Sequence, residues 1–300
     1  MYYSLAALAA VLISVMVAIN GVLAGAYGLH ISSVLIHAVG LITATVAAVV
    51  KKEKLFSVRG LSAALFTGGA IGYFTTLFNN MAVGRISVTA ILALSLLGQA
   101  VTSLVIDQFG LFSMPVRKFR PASLAGLVMV SVGITFLLSG SGASAFVPVL
   151  VSLLTGLTVV VSRSVNSQLA EHKSVIVSTW YNYVTGLLVS AAALLIAAAA
   201  GASGAPENIP AIPAWAYLGG LLGAAVVLLS NLCVSRMSSL AMTLVMFAGQ
   251  VFGGVAIDAV ILGEFSWRSM AGGIFAFLGL VLNILLDARA EKPRREKHTV

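Results

Sequence analysis

Two glutamines stand out in the sequence because each lies deep inside a long run of apolar residues. Gln99 and Gln250 each follow a glycine and have no charged residue nearby. An amide without a hydrogen-bond partner costs several kcal/mol in an apolar medium. Each amide therefore binds either a polar group of another helix or a polar solute, and the residues alone leave both alternatives open.

Both glutamines belong to a stretch that occurs twice in the chain. Residues 85–107 begin with Arg85 and end with Asp107, and residues 236–258 begin with Arg236 and end with Asp258. A helix rises ~1.5 Å per residue, so each stretch covers ~33 Å, about the hydrocarbon thickness of a bilayer. Each copy is therefore a predicted membrane-crossing helix with a charge at each end and an amide inside.

The charges at the ends of these helices have two interpretations. We favour solvated charges at the membrane surface for Asp107 and Asp258. The alternative is a gate in which each aspartate pairs with a basic residue or carries a proton. Arg85 and Arg236 complete this set of candidate gate or ion-pair residues.

Arg163 lies inside a predicted span, about seven residues or ~10 Å from its end, and has no acidic residue close by in sequence. An ionisable residue within the membrane is a functional candidate by default. The competing interpretation is that its long side chain reaches the membrane surface. If Arg163 instead binds the substrate, we expect that substrate to carry a carboxylate or a phosphate.

Five further polar residues complete the candidate substrate site. Asn20 and Asn166 occupy matching positions in the two halves and serve either as helix caps and interhelical contacts or as ligands. His37, which aligns with Tyr183, could titrate near neutral pH and couple protons, or be a hydrogen-bonded core residue. Asn182 and Tyr183 belong to an aromatic and amide group, residues 180–183, that lines either a pocket or a packed interface.

The composition identifies a membrane protein. Sixty per cent of the residues are apolar and 9% are charged, and the mean hydropathy is +1.07, which excludes an ordinary soluble domain. The net charge of +8 comes mainly from residues between spans, so we expect no nucleic-acid partner. A single cysteine excludes a disulfide framework within the chain.

Ten apolar segments can be counted, and we predict an all-α integral membrane fold of ten transmembrane helices. In the predicted ten-helix topology, 15 of the 17 Lys and Arg residues lie on the same side of the membrane as the N-terminus. Basic residues concentrate on the cytoplasmic side, so both termini should be cytoplasmic. Asn79 and Asn80 end the third segment and are interpreted as turn and capping residues. The segments span residues 3–24, 31–50, 61–83, 86–106, 121–139, 146–170, 174–200, 213–234, 239–262 and 269–286.

The duplication extends beyond the two glutamine stretches. Residues 19–41 align without gaps to residues 165–187 at an offset of 146, whereas the glutamine stretches are offset by 151. Because five spans is an odd number, the two halves must enter the membrane in opposite senses. We predict a first five-helix repeat at 1–140, a second, inverted repeat at 145–287, and a basic cytoplasmic tail at 288–300.

This plan resembles the drug/metabolite transporter superfamily, and each half is similar to its YdcZ-like five-helix proteins, so the chain resembles a fused pair. The resemblance implies a proton- or gradient-coupled exporter or exchanger whose two halves line a central cavity. The chain departs from the small multidrug resistance branch because it has no carboxylate early in its first helix, which argues against Glu-based proton exchange. The motifs that carry the resemblance are Asn20-x-x-Leu23 and Asn166-x-x-Leu169, then Gly98-Gln99 with Ile106-Asp107 and Gly249-Gln250 with Ile257-Asp258.

The sequence therefore predicts a multi-pass secondary transporter of the inner (plasma) membrane. We expect it to export or exchange a small organic metabolite or drug-like solute by alternating access. The alternatives are an uptake facilitator or channel-like permease, and a membrane scaffold that transports nothing. Expected partners are the solute, membrane lipid and a proton or another coupling ion, for a monomer or homodimer. No enzyme motif, metal-ligand spacing or cofactor site is recognisable in the sequence.

Overall fold

In the computed structural model of the chain, the described residues form helices and no strand. The structure describes residues 1–113, 123–138, 143–202, 211–234, 239–262, 267, 270–279 and 281–282. Short 3-10 turns, Ala63–Phe66 and Ala214–Leu218, precede α2 and α7. The helices are α1 (Tyr2–Val50), α2 (Gly68–Ala82), α3 (Val88–Phe109), α4 (Ser123–Leu137), α5 (Phe146–His172), α6 (Val175–Ala199), α7 (Gly219–Val234), α8 (Ser239–Leu262) and α9 (Met270–Gly279).

Helix α1 is broken at Gly28. Its 49 residues would reach ~74 Å as a straight helix, more than twice the hydrocarbon thickness of a bilayer. Gly28 has φ 76° and ψ 173°, in a region that glycine adopts without a steric cost. The break separates residues 2–27 (α1a) from residues 29–50 (α1b), so the turn between the first two predicted segments is a single residue rather than a loop.

In the second half, the helix is also interrupted at the equivalent position, but the residue there is a serine rather than a glycine. Ser174 lies 146 residues after Gly28 and begins α6, where its hydroxyl accepts a hydrogen bond from the backbone N–H of Val177 at 3.2 Å. A serine at this position satisfies one of the free N–H groups at the start of the helix. Glycine and serine thus end a helix at the same point of the two repeats.

The helices are those of a multi-pass membrane protein. Helices α1, α3, α5 and α6 are long and apolar enough to cross a bilayer, and shorter apolar helices lie in the regions of α7, α8 and α9. Large apolar side chains are exposed on the outside, including Ile42, Leu195 and Val260. Such a surface is suited to contact with lipid, because lipid tails are as apolar as these side chains. The number of spans and the side on which each terminus lies stay predictions.

Close crossings between helices depend on glycines. Helix α2 packs on α5 and α6, and α7 packs on α1. A Cβ atom on Gly69 would lie 1.8 Å from the backbone oxygen of Asn182, and one on Gly220 would lie 2.2 Å from that of Ile36. The two contacts are equivalent in the repeat, since Gly69 and Gly220 differ by 151 residues and Ile36 and Asn182 by 146. Small residues at such crossings let two backbones approach closely.

We expect Gly69→Ala and Gly220→Ala each to destabilise the folded protein by about 1–3 kcal/mol, because the added methyl group meets backbone that cannot move without shifting a helix. Gly25→Ala is the matched control. Gly25 is exposed and a Cβ there meets nothing within 4 Å, so alanine should leave the melting temperature unchanged or raise it. Thermal unfolding in detergent measures all three variants, and an unchanged melting temperature in both Gly69→Ala and Gly220→Ala would contradict the close crossing.

Candidate functional site

A cavity of about 200 Å³ lies among the helices of both halves. Its lining comes from α1, α2, α3, α5, α6, α7 and α8. All the residues that the sequence proposed for the substrate site line this one cavity, although they lie far apart in the chain. They are Asn20, His37, Gln99, Arg163, Asn166, Asn182, Tyr183 and Gln250. Their shared location is a fact of the structure, and their role in binding stays a prediction.

The two equivalent asparagines each point their amide oxygen at a glycine of the other half. A Cβ on Gly219 would lie 1.8 Å from Oδ1 of Asn20, and a Cβ on Gly68 would lie 2.1 Å from Oδ1 of Asn166. Both asparagines are buried. A glycine at each crossing leaves a C–H group facing the amide oxygen, a weak contact that recurs at helix interfaces. The asparagines therefore join the first helix of each half to α2 or α7 of the other half.

The remaining hydrogen bonds of the two asparagines differ. Nδ2 of Asn166 donates to Oδ1 of Asn182 at 2.8 Å and to the hydroxyl of Ser162 at 3.3 Å. In contrast, Oδ1 of Asn20 is buried and has no hydrogen-bond partner in the part of the chain that the structure describes. The residues that occupy the positions equivalent to Ser162 and Asn182 are Met16 and Ile36, neither of which has a polar side chain. The polar surroundings of Asn166 therefore have no counterpart around Asn20.

His37 and Tyr183 also occupy equivalent positions, and each packs on a glycine opposite. A Cβ on Gly186 would lie 2.3 Å from Cδ2 of His37, and one on Gly40 would lie 2.0 Å from Cε1 of Tyr183. The two rings lie 6.0 Å apart between centroids. Nδ1 of His37 lies 2.7 Å from the carbonyl oxygen of Ser33. Since a carbonyl only accepts, Nδ1 carries a proton and Nε2 is the nitrogen left to exchange one.

The side chains of the two glutamines make no hydrogen bond to another helix among the described residues. Nε2 of Gln99 lies 3.5 Å from the hydroxyl of Ser95 on its own helix. Gln250 is 3% exposed, and its contact with α1 is a backbone one, in which its carbonyl oxygen accepts from the hydroxyl of Ser14 at 3.0 Å. Of the two alternatives left open by the sequence, this arrangement favours amides that face the cavity over amides that join helices.

Arg163 lies deeper in its helix than the sequence suggested. Helix α5 continues to His172, so Arg163 is ~14 Å from the helix end rather than ~10 Å. The side chain is exposed and lines the cavity, where it is the only charged residue among the described residues of the lining. Among the described residues Arg163 has no acidic partner. The contact with the cavity favours a side chain available to a solute over one extended to the membrane surface.

The prediction of a solvated charge is wrong for Asp258, which is 4% exposed. Its carboxylate accepts hydrogen bonds from the backbone N–H groups of Val88 and Thr89, at 2.8 and 2.9 Å, and from the Thr89 hydroxyl at 2.6 Å. The physical reason is that the first N–H groups of a helix lack partners within it and carry partial positive charge. Asp258 of α8 therefore caps α3.

The other three candidate gate residues remain untested. Arg85 is exposed and forms no ion pair with any residue that the structure describes. The side chain of Asp107 and the whole of Arg236 lie outside the described residues.

Sequence reasoning missed several small polar residues of the lining. Thr75, Thr76 and Asn79 of α2 face the cavity together with Gly72. Their spacing of three and four residues is that of one helix face, which is the signal that could have identified them. The interpretation of Asn79 as a capping residue is therefore corrected. Asn80 is buried, and its Nδ2 donates to the Ser32 hydroxyl at 3.4 Å.

The aromatic and amide group at residues 180–183 divides between two environments. Asn182 and Tyr183 line the cavity. Trp180 instead donates from Nε1 to the hydroxyl of Thr45 at 3.0 Å, and the Tyr181 hydroxyl donates to the carbonyl of Leu55 at 3.1 Å. The pocket and the packed interface that the sequence posed as alternatives are both present, for different members of the group.

Alanine at the two equivalent asparagines should have unequal effects on stability. Asn166→Ala removes two hydrogen bonds and leaves the half-buried side chain of Asn182 short of a partner, which costs about 1–3 kcal/mol. Asn20→Ala removes a buried acceptor that has no partner, so we expect a much smaller loss or a gain. Thermal unfolding of both variants in the same detergent measures the difference. An equal or larger loss in Asn20→Ala would contradict the unequal hydrogen bonding.

The comparisons with known proteins agree with this architecture. A family model described as "Putative inner membrane exporter, YdcZ" matches the chain twice, over residues 1–136 and 147–282. No curated protein matches the chain. One solved structure, described only as "Crystal structure of protein", has a TM-score of 0.65 and 18% identity, and the match covers 96% of this chain and 98% of that one. At that identity it shows a shared fold alone. The two family matches show that the chain belongs to the YdcZ family of the drug/metabolite transporters, as a multi-pass inner membrane transporter that carries two copies of the family unit.

Proposed function

We propose that this transporter exports or exchanges a small organic solute by alternating access, and that the cavity binds the solute. In the proposed arrangement ten spans form two inverted five-helix halves with both termini in the cytoplasm. The observation that carries the proposal is the meeting of equivalent polar residues from the two halves at one cavity, above all Gln99 with Gln250 and Asn20 with Asn166. Secondary transporters built from inverted repeats bind their substrates between the repeats near the membrane midplane.

The contact between α3 and α8 supports the inversion. These helices are equivalent in the repeat, because Arg85 and Asp107 match Arg236 and Asp258. Asp258 lies near the end of α8 and binds the N–H groups of Val88 and Thr89, the first two residues of α3. The start of one copy therefore meets the end of the other, as expected for a pair of equivalent helices that run in opposite directions.

The crossing of α1b with α6 supports the same relation. His37 lies against Gly186, whereas Gly40 lies against Tyr183. Position 37 is equivalent to 183 and position 40 to 186, so the order of contacts reverses from one helix to the other. Two parallel copies would instead bring each residue next to its own equivalent.

The helix crossings at Gly69 and Gly220 suggest how the halves move. At Gly69 and Gly220 the closest approach is between backbones, so α2 and α7 can rock against their neighbours with few rotamer changes. Rocking of one half against the other around a fixed site is the usual form of alternating access. Of the titratable groups near the cavity, His37 is our candidate for proton coupling. The carboxylate of Asp258 is instead occupied by its hydrogen bonds to the start of α3.

Proteoliposomes that contain the purified protein test transport directly. We expect uptake or counterflow of at least one solute from a panel of organic anions, organic cations, amino acids and nucleosides, above the rate of protein-free vesicles. Gln250→Ala should reduce that flux at least about tenfold, because a polar contact with the solute is lost. Arg163→Lys should retain part of the flux and Arg163→Leu should abolish it.

Glu171→Ala is the control variant, since Glu171 is exposed and lies outside the lining of the cavity. It should transport at the wild-type rate. Absence of flux for every class of solute would contradict transport and favour a scaffold. Full flux in both Gln250→Ala and Arg163→Leu, with normal membrane insertion, would contradict the assignment of the site to the cavity.

A further inference from the structure

The cavity has one polar and one apolar wall. The polar wall comes from α2, α5 and α6, which pack together, and the apolar wall comes from parts of α7 and α1, which also pack together. The same two helices place Asn20, His37 and Ser230 elsewhere in the lining. The polar wall consists of Thr75, Thr76, Ser162, Arg163 and Asn182, and the apolar wall consists of Val226, Val227, Met16, Val17 and Ile36.

Each residue of the polar wall is equivalent in the repeat to one residue of the apolar wall. The two threonines of α2 match the two valines of α7 at the offset of 151. At the offset of 146, Ser162 matches Met16, Arg163 matches Val17 and Asn182 matches Ile36. Other lining positions, such as those of the two glutamines, carry the same residue in both halves. The two walls therefore differ because the two copies of the repeat carry different residues at equivalent positions.

The polar wall is held in place by its own hydrogen bonds. The hydroxyl of Ser162 donates to the carbonyl oxygen of Gly68 at 2.8 Å, and the hydroxyl of Thr75 donates to that of Thr158 at 2.8 Å. Oδ1 of Asn182 accepts from Asn166. Arg163 differs from these neighbours, because no hydrogen bond or ion pair joins it to any residue that the structure describes.

The charge of the cavity limits the charge of its ligand. Among the described residues, Arg163 is the only charged residue in the lining, and it faces the cavity without an anionic partner, so an anion on the solute can form charged hydrogen bonds with it. One negative charge on the solute neutralises the site, whereas a second would itself lack a partner. A carboxylate suits a single guanidinium because the two groups form a pair of parallel hydrogen bonds.

We propose that the cavity takes a small amphipathic monocarboxylate, with its carboxylate on Arg163 and its apolar body against the wall formed by α1 and α7. The inference rests on the proposed transport function and names the class of solute that it carries. The cavity volume of about 200 Å³ lies below the ~300–1,000 Å³ of pockets for drug-sized ligands, so the body of the solute is short.

Calorimetric titration of the full chain in lipid nanodiscs tests this inference. The probes are acetate, butyrate and hexanoate, with hexylamine and hexanamide as matched compounds of opposite and zero charge. We expect the affinity of the carboxylates to rise about fourfold per methylene group until the cavity is full. Hexanoate should bind at least about tenfold more tightly than either matched compound, because only the carboxylate forms charged hydrogen bonds with the guanidinium.

Three variants separate the two walls. Arg163→Gln should abolish the preference for hexanoate over hexanamide, and Arg163→Lys should keep it in part. Val227→Thr places a hydroxyl group on the apolar wall and should reduce the gain per methylene group while the preference for the anion remains. Melting temperatures of the variants show whether each is folded.

Several results would overturn the inference: binding by no member of the carboxylate series, equal or tighter binding of hexylamine, or an unchanged preference for hexanoate in folded Arg163→Gln. Flux in proteoliposomes distinguishes this failure from failure of the proposed function. Transport of a cation or neutral solute that is insensitive to Arg163→Gln would overturn the monocarboxylate and retain the transporter. Binding of hexanoate with no flux of any solute would retain the site and overturn transport.

Discussion

Every polar group inside the membrane-spanning helices must find its partner within the protein or in a bound solute, because hydrocarbon supplies none. This constraint explains where the polar residues of the chain lie. Asp258 meets the free N–H groups at the start of α3, and Asn166 meets Ser162 and Asn182. The side chains of Gln250 and Arg163 have no such partner among the described residues and instead line the cavity. The side chains of Gln250 and Arg163 thus mark a place where a solute can supply the missing partners.

Duplication determines how the two halves meet at that place. The contacts of Asn20 with Gly219 and of Asn166 with Gly68 are two versions of one contact, each joining one half to the other. The contacts of Gly69 and Gly220 with backbone oxygen atoms repeat this pattern. Neither half can form these contacts with itself, so the cavity exists only because both halves are present. A fused chain supplies both halves in equal number and lets them differ in sequence, as Arg163 and Val17 do.

Much of the candidate site could be predicted from the sequence because its residues contrast with their surroundings. An amide or a guanidinium in an apolar run is conspicuous, and its recurrence at a constant offset identified Gln99, Gln250, Asn20 and Asn166. The threonines of α2 were not identified, since a hydroxyl can bond to its own helix backbone and is common in apolar helices. The burial of Asp258 also escaped prediction, because its partners are backbone groups 169 and 170 positions away. Spacing along one helix carries no information about such a contact. The crossings at Gly69 and Gly220 depend in the same way on which helices become neighbours.

Labelling at equivalent positions tests whether the inverted halves open one cavity to the two sides of the membrane in turn. Thr76 and Val227 both line the cavity and occupy equivalent positions of the two halves. Single cysteines at these positions, in a Cys233→Ser background, can be treated with a membrane-impermeant maleimide in inside-out and right-side-out vesicles. We expect each cysteine to react from both sides of the membrane, whereas a cysteine in place of the exposed Glu171 should react from one side only. Reaction of Thr76→Cys and Val227→Cys from the same single side, under all conditions of solute and pH, would contradict alternating access.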